Sequence, residues 1–313
     1  MSRGEWGKTT RIINEAVEIL TAEHPMTLRQ CFYRLVSREI IKNNKPDYQM
    51  LSRILTKARN DERVDFAWIA DRSRPTYAPC VFDNPAAYAE TVKRIYRKDY
   101  WKTQSRYVEI WTEKDSVTGS IEDVTDELGV TIRVGRGYSS TTRAHEIAQH
   151  FRSMLNQGKY IRVFYLGDFD PDGEVIEQDI ARRINGYIAK SYASESAWAS
   201  IGHSGEHHFF QIERLAIDGD DIEEFNLPPL RVKDTSANSK AFRRKHGNKC
   251  VELDALPVSE LRDRIRQALT NLIDHELWDR AVAVEKVELQ SILSSMELWK
   301  SLPAPEPAPE RGL

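Results

Sequence analysis

The chain has 313 residues, of which 40% are hydrophobic, 9% aromatic and 30% charged. This composition excludes intrinsic disorder for most of the chain and a fibrous architecture, and the length suggests about two domains of roughly 150 residues. No stretch approaches the roughly 20 apolar residues that span a bilayer, and the first residues lack the apolar core of a secretion signal. The three cysteines follow neither a disulfide framework nor a zinc-site spacing. We therefore expect a cytoplasmic protein with no membrane partner.

Charge is divided unevenly along the chain, although the formal net charge is only −3. Residues 1–106 carry 20 basic and 13 acidic side chains, a net charge of +7. Residues 107–313 carry 25 basic and 35 acidic side chains, a net charge of −10. A basic N-terminal part favours a polyphosphate partner. Charge alone leaves an alternative open: the asymmetry could come from the charged, solvent-exposed faces of ordinary helices, with no partner involved.

The N-terminal part has the outline of a winged helix-turn-helix. Apolar residues at helical spacing predict helices within 9–22, 28–36 and 48–58, with Thr27 as the N-cap of the second. Alternation over 64–69 then predicts a strand. In such folds the third helix and the wing meet DNA, and the basic residues there are Lys57, Arg59, Arg63, Arg72 and Arg74. A plain helical bundle with a basic surface is the alternative.

The pattern changes after residue 106 to an alternation of strands and helices. Nearly continuous apolar runs predict strands at 107–111, 130–134 and 160–166. Each is followed by a predicted helix, at 116–128, about 140–156 and 173–189. This alternation is typical of an α/β domain whose parallel sheet is covered on both faces. Ligand sites in such sheets form at the carboxyl ends of the strands.

Two of the predicted strands end in acidic residues. Glu113 follows the first, and Asp168 and Asp170 follow the third. Clustered carboxylates raise one another's pKa unless a cation lies among them, and hard oxygen ligands favour Mg²⁺ or Mn²⁺. Such an ion can stabilise both the attacking and the leaving oxygen of a phosphodiester. An Asp-x-Asp pair by itself usually marks a turn, but the acid at a second strand end makes a metal site the more specific interpretation.

These residues carry a resemblance to a known family. Glu113, the Asp168–Gly173 segment and a loop with Gly137, Tyr138, Thr142 and Arg143 resemble a Toprim domain. The version found in topoisomerase VI A subunits and the related meiotic double-strand-break transesterase is the most similar, especially the short stand-alone mini-A-like proteins. The resemblance implies that Glu113, Asp168 and Asp170 hold catalytic Mg²⁺. Asp172 departs from the family pattern, as either an extra ligand or a solvated side chain.

The same family carries a nucleophilic tyrosine on a winged helix that precedes the Toprim domain. The sequence Arg29-Gln30-Cys31-Phe32-Tyr33 matches that context, which implies that Tyr33 is the nucleophile and that Arg29 assists it. At about 100° per residue, Tyr33 lies roughly 130° from the centre of the apolar stripe of its helix, so we expect it to be exposed. An ordinary surface tyrosine is the alternative. In the family the tyrosine of one protomer meets the metal site of another, which implies a homodimer.

The C-terminal third offers fewer motifs. We predict a strand at 209–215 and long helices at 258–274 and 276–300, which would serve packing or dimerisation. Histidines at 203, 207 and 208 are a weak metal signal, because adjacent strand residues point to opposite faces. A basic segment at 231–249, read as a loop, offers further candidate DNA contacts: Lys240, Arg243, Arg244 and Lys245.

These observations predict three regions and one preferred function. Residues 1–106 form the winged-helix domain, 107–302 the Toprim domain with its helical extension, and 303–313 a proline-rich disordered tail. The preferred function is Mg²⁺-dependent cleavage of double-stranded DNA by tyrosine transesterification, in a cytoplasmic, nucleoid-associated enzyme. The chain has no phosphate-binding loop for ATP. Any ATPase partner would therefore be a separate chain, or the protein cuts DNA without one. Two alternatives stay open: a Toprim nuclease, from a defence system or mobile element, that uses water instead of Tyr33, and a non-catalytic DNA-binding subunit.

Overall fold

The computed structural model describes residues 3–70, 78–135, 141–193, 209–234 and 236–300. The described residues divide into two compact units. The larger unit combines the chain up to residue 70 with 105–272, and the smaller combines 78–104 with 273–300. This division differs from the predicted boundary at 106/107, because the first three helices belong to the same unit as the sheet. The predicted tail at 303–313 lies outside the described residues.

The chain begins with the three predicted helices, α1 (Arg3–Glu23), α2 (Leu28–Ser37) and α3 (Lys45–Asn60). Thr27 caps α2 as predicted: its hydroxyl accepts from Gln30 N at 3.1 Å, and Gln30 Oε1 accepts from Thr27 N at 2.7 Å. This reciprocal pair satisfies two amides at the helix start. Ser120 donates to the same Gln30 oxygen at 2.8 Å, which fastens α2 to the sheet region.

The predicted strand at 64–69 is wrong. Residues Phe66–Trp68 form a 3₁₀ turn, capped by the Asp65 carboxylate that accepts from Ala67 N at 2.8 Å. Ile69 makes an isolated parallel bridge with Met26. The local Asp cap outcompetes the short alternating pattern. A winged helix is therefore not established by the described residues, and 71–77 lie outside them.

The larger unit contains the predicted mixed α/β arrangement around a four-stranded parallel sheet. The strand order is β2-β1-β3-β4, and the strands are β1 (Arg106–Thr112), β2 (Thr131–Val134), β3 (Tyr160–Leu166) and β4 (Phe210–Ala216). The helices that follow the first three are α5 (Asp115–Glu127), α6 (Thr141–Asn156) and α7 (Gly173–Ala193). Thr112 pairs with Leu166 in the register of β1 and β3. The two strands therefore end level, and the residues after them leave the sheet side by side.

Large apolar side chains hold α6 and α7 against the sheet. Trp111 of β1 and Tyr165 of β3 are neighbours in register and fully buried. They belong to one core cluster with Phe151 of α6 and Ile184 of α7, and the Trp111 and Phe151 rings stack at 6.0 Å. Buried aromatic pairs of this kind fix the sheet edge from which the acidic residues extend.

The chain then returns to that edge through a smaller set of elements. These are α8 (Asp221–Glu224), an antiparallel pair β5 (Leu230–Arg231) and β6 (Lys249–Cys250), α9 (Ser239–His246), a 3₁₀ turn (Leu253–Ala255) and α10 (Val258–Thr270). The basic segment that we predicted to be a loop thus contains the helix α9. Phe169 and Val251 exchange two backbone hydrogen bonds of 3.0 Å, so the chain after β6 lies directly against the Asp168–Asp170 segment.

The smaller unit consists of α4 (Pro85–Ile95), a 3₁₀ turn (Tyr100–Lys102) and α11 (His275–Lys300). Lys98 pairs with Glu288 of α11 at 2.7 Å, and Gln104 donates to the carbonyl of Asp274 at 3.1 Å. The long C-terminal helices that we predicted are therefore present. In the described part of the chain, no helix is both long and apolar enough to cross a membrane.

Candidate active site

Glu113 and Asp168 meet at the carboxyl edge of the sheet. The amide of Asp168 donates to Glu113 Oε1 at 3.3 Å. Burial, together with the nearby negative charge of Asp168, raises the pKa of Glu113 from its ordinary value of 4.5 to about 7. Burial also raises the pKa of Asp168, against the opposing effect of Lys114. Two half-buried carboxyl groups therefore share a site where a second negative charge is unfavourable.

Asp170 holds the start of α7. Its Oδ1 accepts from the amides of Gly173 at 2.6 Å and Asp172 at 3.0 Å, which caps the helix. A side chain at Gly173 would come within 2.4 Å of the Asp168 carbonyl oxygen, so the turn needs glycine there. Asp172 is exposed and accepts from Ser236 Oγ at 2.5 Å and Asn238 Nδ2 at 3.2 Å. Asp172 thus ties the turn to the segment that precedes α9.

Lys114 lies among three carboxylates at the same edge. Its Nζ is 2.8 Å from Asp168 Oδ1, 3.0 Å from Asp254 Oδ2 and 3.3 Å from Glu252 Oε2. Burial disfavours the charged ammonium, but Asp254, Asp168 and Glu252 outweigh that effect and raise the pKa of Lys114. The lysine is therefore held as a buried cation that neutralises part of the acidic cluster.

Sequence reasoning missed Glu252 and Asp254. The sequence feature that could have indicated them is the motif Val251-Glu252-Leu253-Asp254, in which acidic and apolar residues alternate. Nothing in that local pattern showed that Val251 pairs with Phe169. Asp254 is 1% exposed, and its buried Oδ1 has no hydrogen-bond partner among the residues that the structure describes. Such an atom costs stability unless another group satisfies it, which is consistent with a functional edge.

Arg29 and Tyr33 of α2 reach the same cluster. Arg29 makes a forked pair with Glu252, with Nε donating to Oε2 at 2.8 Å and Nη2 donating to Oε1 at 2.6 Å. The same Nη2 lies 3.5 Å from the Tyr33 hydroxyl. Contacts therefore run from Tyr33 through Arg29, Glu252 and Lys114 to Asp168, all within the larger unit of one chain.

The expected exposure of Tyr33 is wrong, because the residue is only 4% exposed. Helix α2 packs against the 3₁₀ turn at 253–255, a contact that the spacing of residues along the helix alone does not show. Burial raises the pKa of Tyr33 to about 12; Glu252 adds to this shift, whereas Arg29 and Lys114 oppose it. In this state the phenol is a weaker nucleophile than an ordinary tyrosine and needs help to lose its proton.

The donor chemistry of Glu113 and Asp168 fits a hard divalent cation. The raised pKa of Glu113 reflects burial and carboxylate repulsion, and a cation would relieve both. Within the residues that the structure describes, however, no three potential ligands converge as a ready cage. One Asp168 oxygen is already held by Lys114, and Asp170 is engaged in the helix cap.

The candidate DNA contacts lie in two places. Lys57 is exposed at the end of α3, and the Arg59 guanidinium lies over the Phe66 ring at 5.2 Å. On α9, Lys240 and Arg244 are exposed, whereas Arg243 pairs with Asp234 at 2.5 Å and Lys245 pairs with Glu174. A groove of about 530 Å³ between α7 and α9 is bordered by Arg244 and Lys245.

Several predicted residues lie outside the described part of the chain. These are Arg72, Arg74, Gly137, Tyr138 and the histidines at 203, 207 and 208. The other two residues of the loop pattern, Thr142 and Arg143, are exposed in the first turn of α6, and Arg143 pairs with Glu146 at 3.1 Å.

Comparisons with protein-family models, with curated proteins and with solved structures found no match to this chain.

The raised pKa of Glu113 predicts a specific pH dependence of stability. Its carboxyl is protonated more readily in the folded chain, so the associated stability is complete below pH 4.5 and is lost as the pH rises through about 7. Relative to wild type, Glu113→Gln should therefore gain stability across that window, reaching on the order of 3 kcal/mol above it.

Urea unfolding in EDTA at several pH values measures this difference. Glu127→Gln is a matched control, because Glu127 is 57% exposed and pairs with Arg266 away from the cluster. Parallel stability profiles for Glu113→Gln and wild type would contradict the assigned electrostatics.

Proposed function

We propose that the protein cleaves double-stranded DNA in a reaction that depends on Mg²⁺ or Mn²⁺ and uses Tyr33 as the nucleophile. One observation carries the proposal. Tyr33 and the acidic edge of the sheet belong to one compact unit and are connected by Arg29, Glu252 and Lys114. A nucleophile, a cationic pair for phosphate and carboxylates for a metal are the components that phosphodiester transfer requires.

In the proposed reaction the Tyr33 oxygen attacks the scissile phosphorus in line. A phosphotyrosine ester forms to the 5′ end, the bond to the 3′ oxygen breaks, and that oxygen takes up a proton. The phenol proton leaves to solvent first, and solvent supplies the proton that the 3′ oxygen takes up; the positive charges of Arg29 and Lys114 favour the loss of the phenol proton. Arg29 would then orient the phosphate through its planar fork of donors. Glu113 and Asp168 would hold the divalent cation, which when bound neutralises charge on the phosphoryl oxygens, and Asp170 would join them only by leaving the cap of α7.

A hydrolytic nuclease is the second candidate, and a specific observation favours it. Tyr33 is buried and its pKa is raised to about 12. A water molecule could instead attack the phosphate at the same acidic edge, leaving Tyr33 as a packing residue. This candidate uses the same carboxylates and differs in the fate of the DNA end.

Plasmid cleavage distinguishes the two. Supercoiled plasmid is incubated with the full chain and Mg²⁺ or Mn²⁺ and quenched with denaturant, and the DNA is analysed before and after protease digestion. Ends that enter the gel only after digestion are linked to protein and support the tyrosine reaction. Free ends support hydrolysis. No cleavage with either metal contradicts both and leaves a DNA-binding role.

A further inference from the structure

Glu252 occupies the position between the two cations that face the acidic edge. Its two oxygens accept from the Arg29 fork at 2.6 and 2.8 Å, and Oε2 also lies 3.3 Å from Lys114 Nζ. In the described residues the Glu252 carboxylate contacts both Arg29 of α2 and Lys114, which follows β1. Arg29 remains 45% exposed and Glu252 22% exposed, so an incoming ligand can reach both.

A carboxylate held in this way has the shape and charge of a phosphate contact. Arginine binds carboxylates and phosphates with the same pair of parallel donors. Lysine adds a point charge that suits phosphate equally well. Arg29 and Lys114 both contact the Glu252 carboxylate, and Arg29 also lies beside the Tyr33 hydroxyl. The two cations therefore have the arrangement of a phosphate subsite that a carboxylate of the same chain occupies.

We infer that Arg29 and Lys114 form the subsite for a backbone phosphodiester of the DNA substrate. In the absence of DNA the Glu252 carboxylate occupies this subsite, and the phosphate displaces it. This inference rests on the proposed function and names the contact through which that function engages its substrate.

The Glu252 carboxylate competes with DNA for the subsite, so removing its charge should strengthen the binding of DNA. Glu252→Gln keeps the size of the side chain and removes the charge that holds the Arg29 fork, while Lys114 keeps its contacts with Asp168 and Asp254. We expect its affinity for a short labelled duplex, measured by fluorescence anisotropy in EDTA, to rise about tenfold, since hydrogen bonds to charged groups contribute roughly that factor or more. The salt dependence of binding should steepen by about one phosphate contact.

Glu127→Gln is the matched control. It removes the same charge from the same unit, by breaking the exposed Arg266 pair instead, and should leave affinity within about twofold of wild type, as expected for an exposed ion pair. In an Arg29→Gln background, Glu252→Gln should lose most of its effect, because the freed fork is absent. Equal affinities of Glu252→Gln and Glu127→Gln would overturn the subsite.

Two further results separate this subsite from its alternatives. At chloride-matched ionic strength, inorganic phosphate should not displace the duplex from Glu252→Gln; displacement would assign the position to the free ion and overturn the inference. EDTA prevents metal-dependent cleavage during the binding measurement. Unchanged duplex affinity beside normal plasmid cleavage would therefore remove the subsite alone, whereas the absence of duplex binding by every variant would remove the proposed function as well.

Discussion

Replacing Tyr33 by phenylalanine is expected to abolish protein-linked DNA ends and to lower cleavage at least about 1,000-fold, as loss of a nucleophile does. The fold should tolerate the change. The Tyr33 hydroxyl has a long contact of 3.5 Å with Arg29, and the ring keeps its packing against Phe32 at 5.4 Å. The midpoint of thermal unfolding should stay within a few degrees of wild type, as expected for a change of less than about 1 kcal/mol.

Tyr48→Phe is a matched control for this variant. Tyr48 of α3 packs edge-on against the same Phe32 ring, at 5.2 Å. Removing its hydroxyl changes the same aromatic group without touching the acidic cluster, so cleavage should persist. If Tyr33→Phe keeps cleaving and yields free ends, water is the nucleophile and the second candidate function replaces the first.

Replacing Lys114 by methionine is expected to cost about 3 to 5 kcal/mol of unfolding free energy at neutral pH. The ammonium is the cation that Asp168, Asp254 and Glu252 share. Its removal leaves Asp168 and Asp254 without this cation, so protonation of the acidic cluster then favours the folded chain. The loss should therefore be largest at high pH and should shrink as the pH falls toward about 4, the ordinary carboxyl range.

Denaturant unfolding with a double-mutant cycle measures this electrostatic cost. Adding Asp254→Asn to Lys114→Met should recover part of the lost stability, since the second change removes a charge that the first left unpaired. Lys57→Met, at an exposed position on α3, should stay within about 0.5 kcal/mol of wild type. An equally small effect of Lys114→Met would contradict the description of Lys114 as a buried structural cation.

The sheet and the first helices could be predicted because their signals are local. The Thr27 cap, the helical stripe of α2 and the apolar runs of β1 and β3 each lie within a few residues. Level strand ends follow from the parallel register, so the meeting of Glu113 with Asp168 was also within reach of sequence reasoning.

The remaining features depend on contacts between distant parts of the chain. Helix α2, which carries the buried Tyr33, packs against a turn more than 200 residues later, at 253–255, and the spacing of residues along the helix does not contain that information. The bridge between Phe169 and Val251 likewise brings Glu252 and Asp254 to the site. The prediction of a strand at 64–69 was wrong for the opposite reason. There the local Asp65 cap outweighed a short alternation of apolar and polar residues.

We propose that Tyr33 acts with the acidic edge of its own chain, whereas the family resemblance implies exchange between protomers of a homodimer. Co-expression of Tyr33→Phe and Glu113→Gln chains with different tags, followed by purification on both tags and on each alone, tests this claim through plasmid cleavage. Each variant alone should be inactive. We expect the mixed preparation to be inactive too, because every chain lacks either Tyr33 or Glu113. Recovery of protein-linked ends in the doubly purified sample would contradict it, since only a tyrosine and an acidic edge from different chains could then combine.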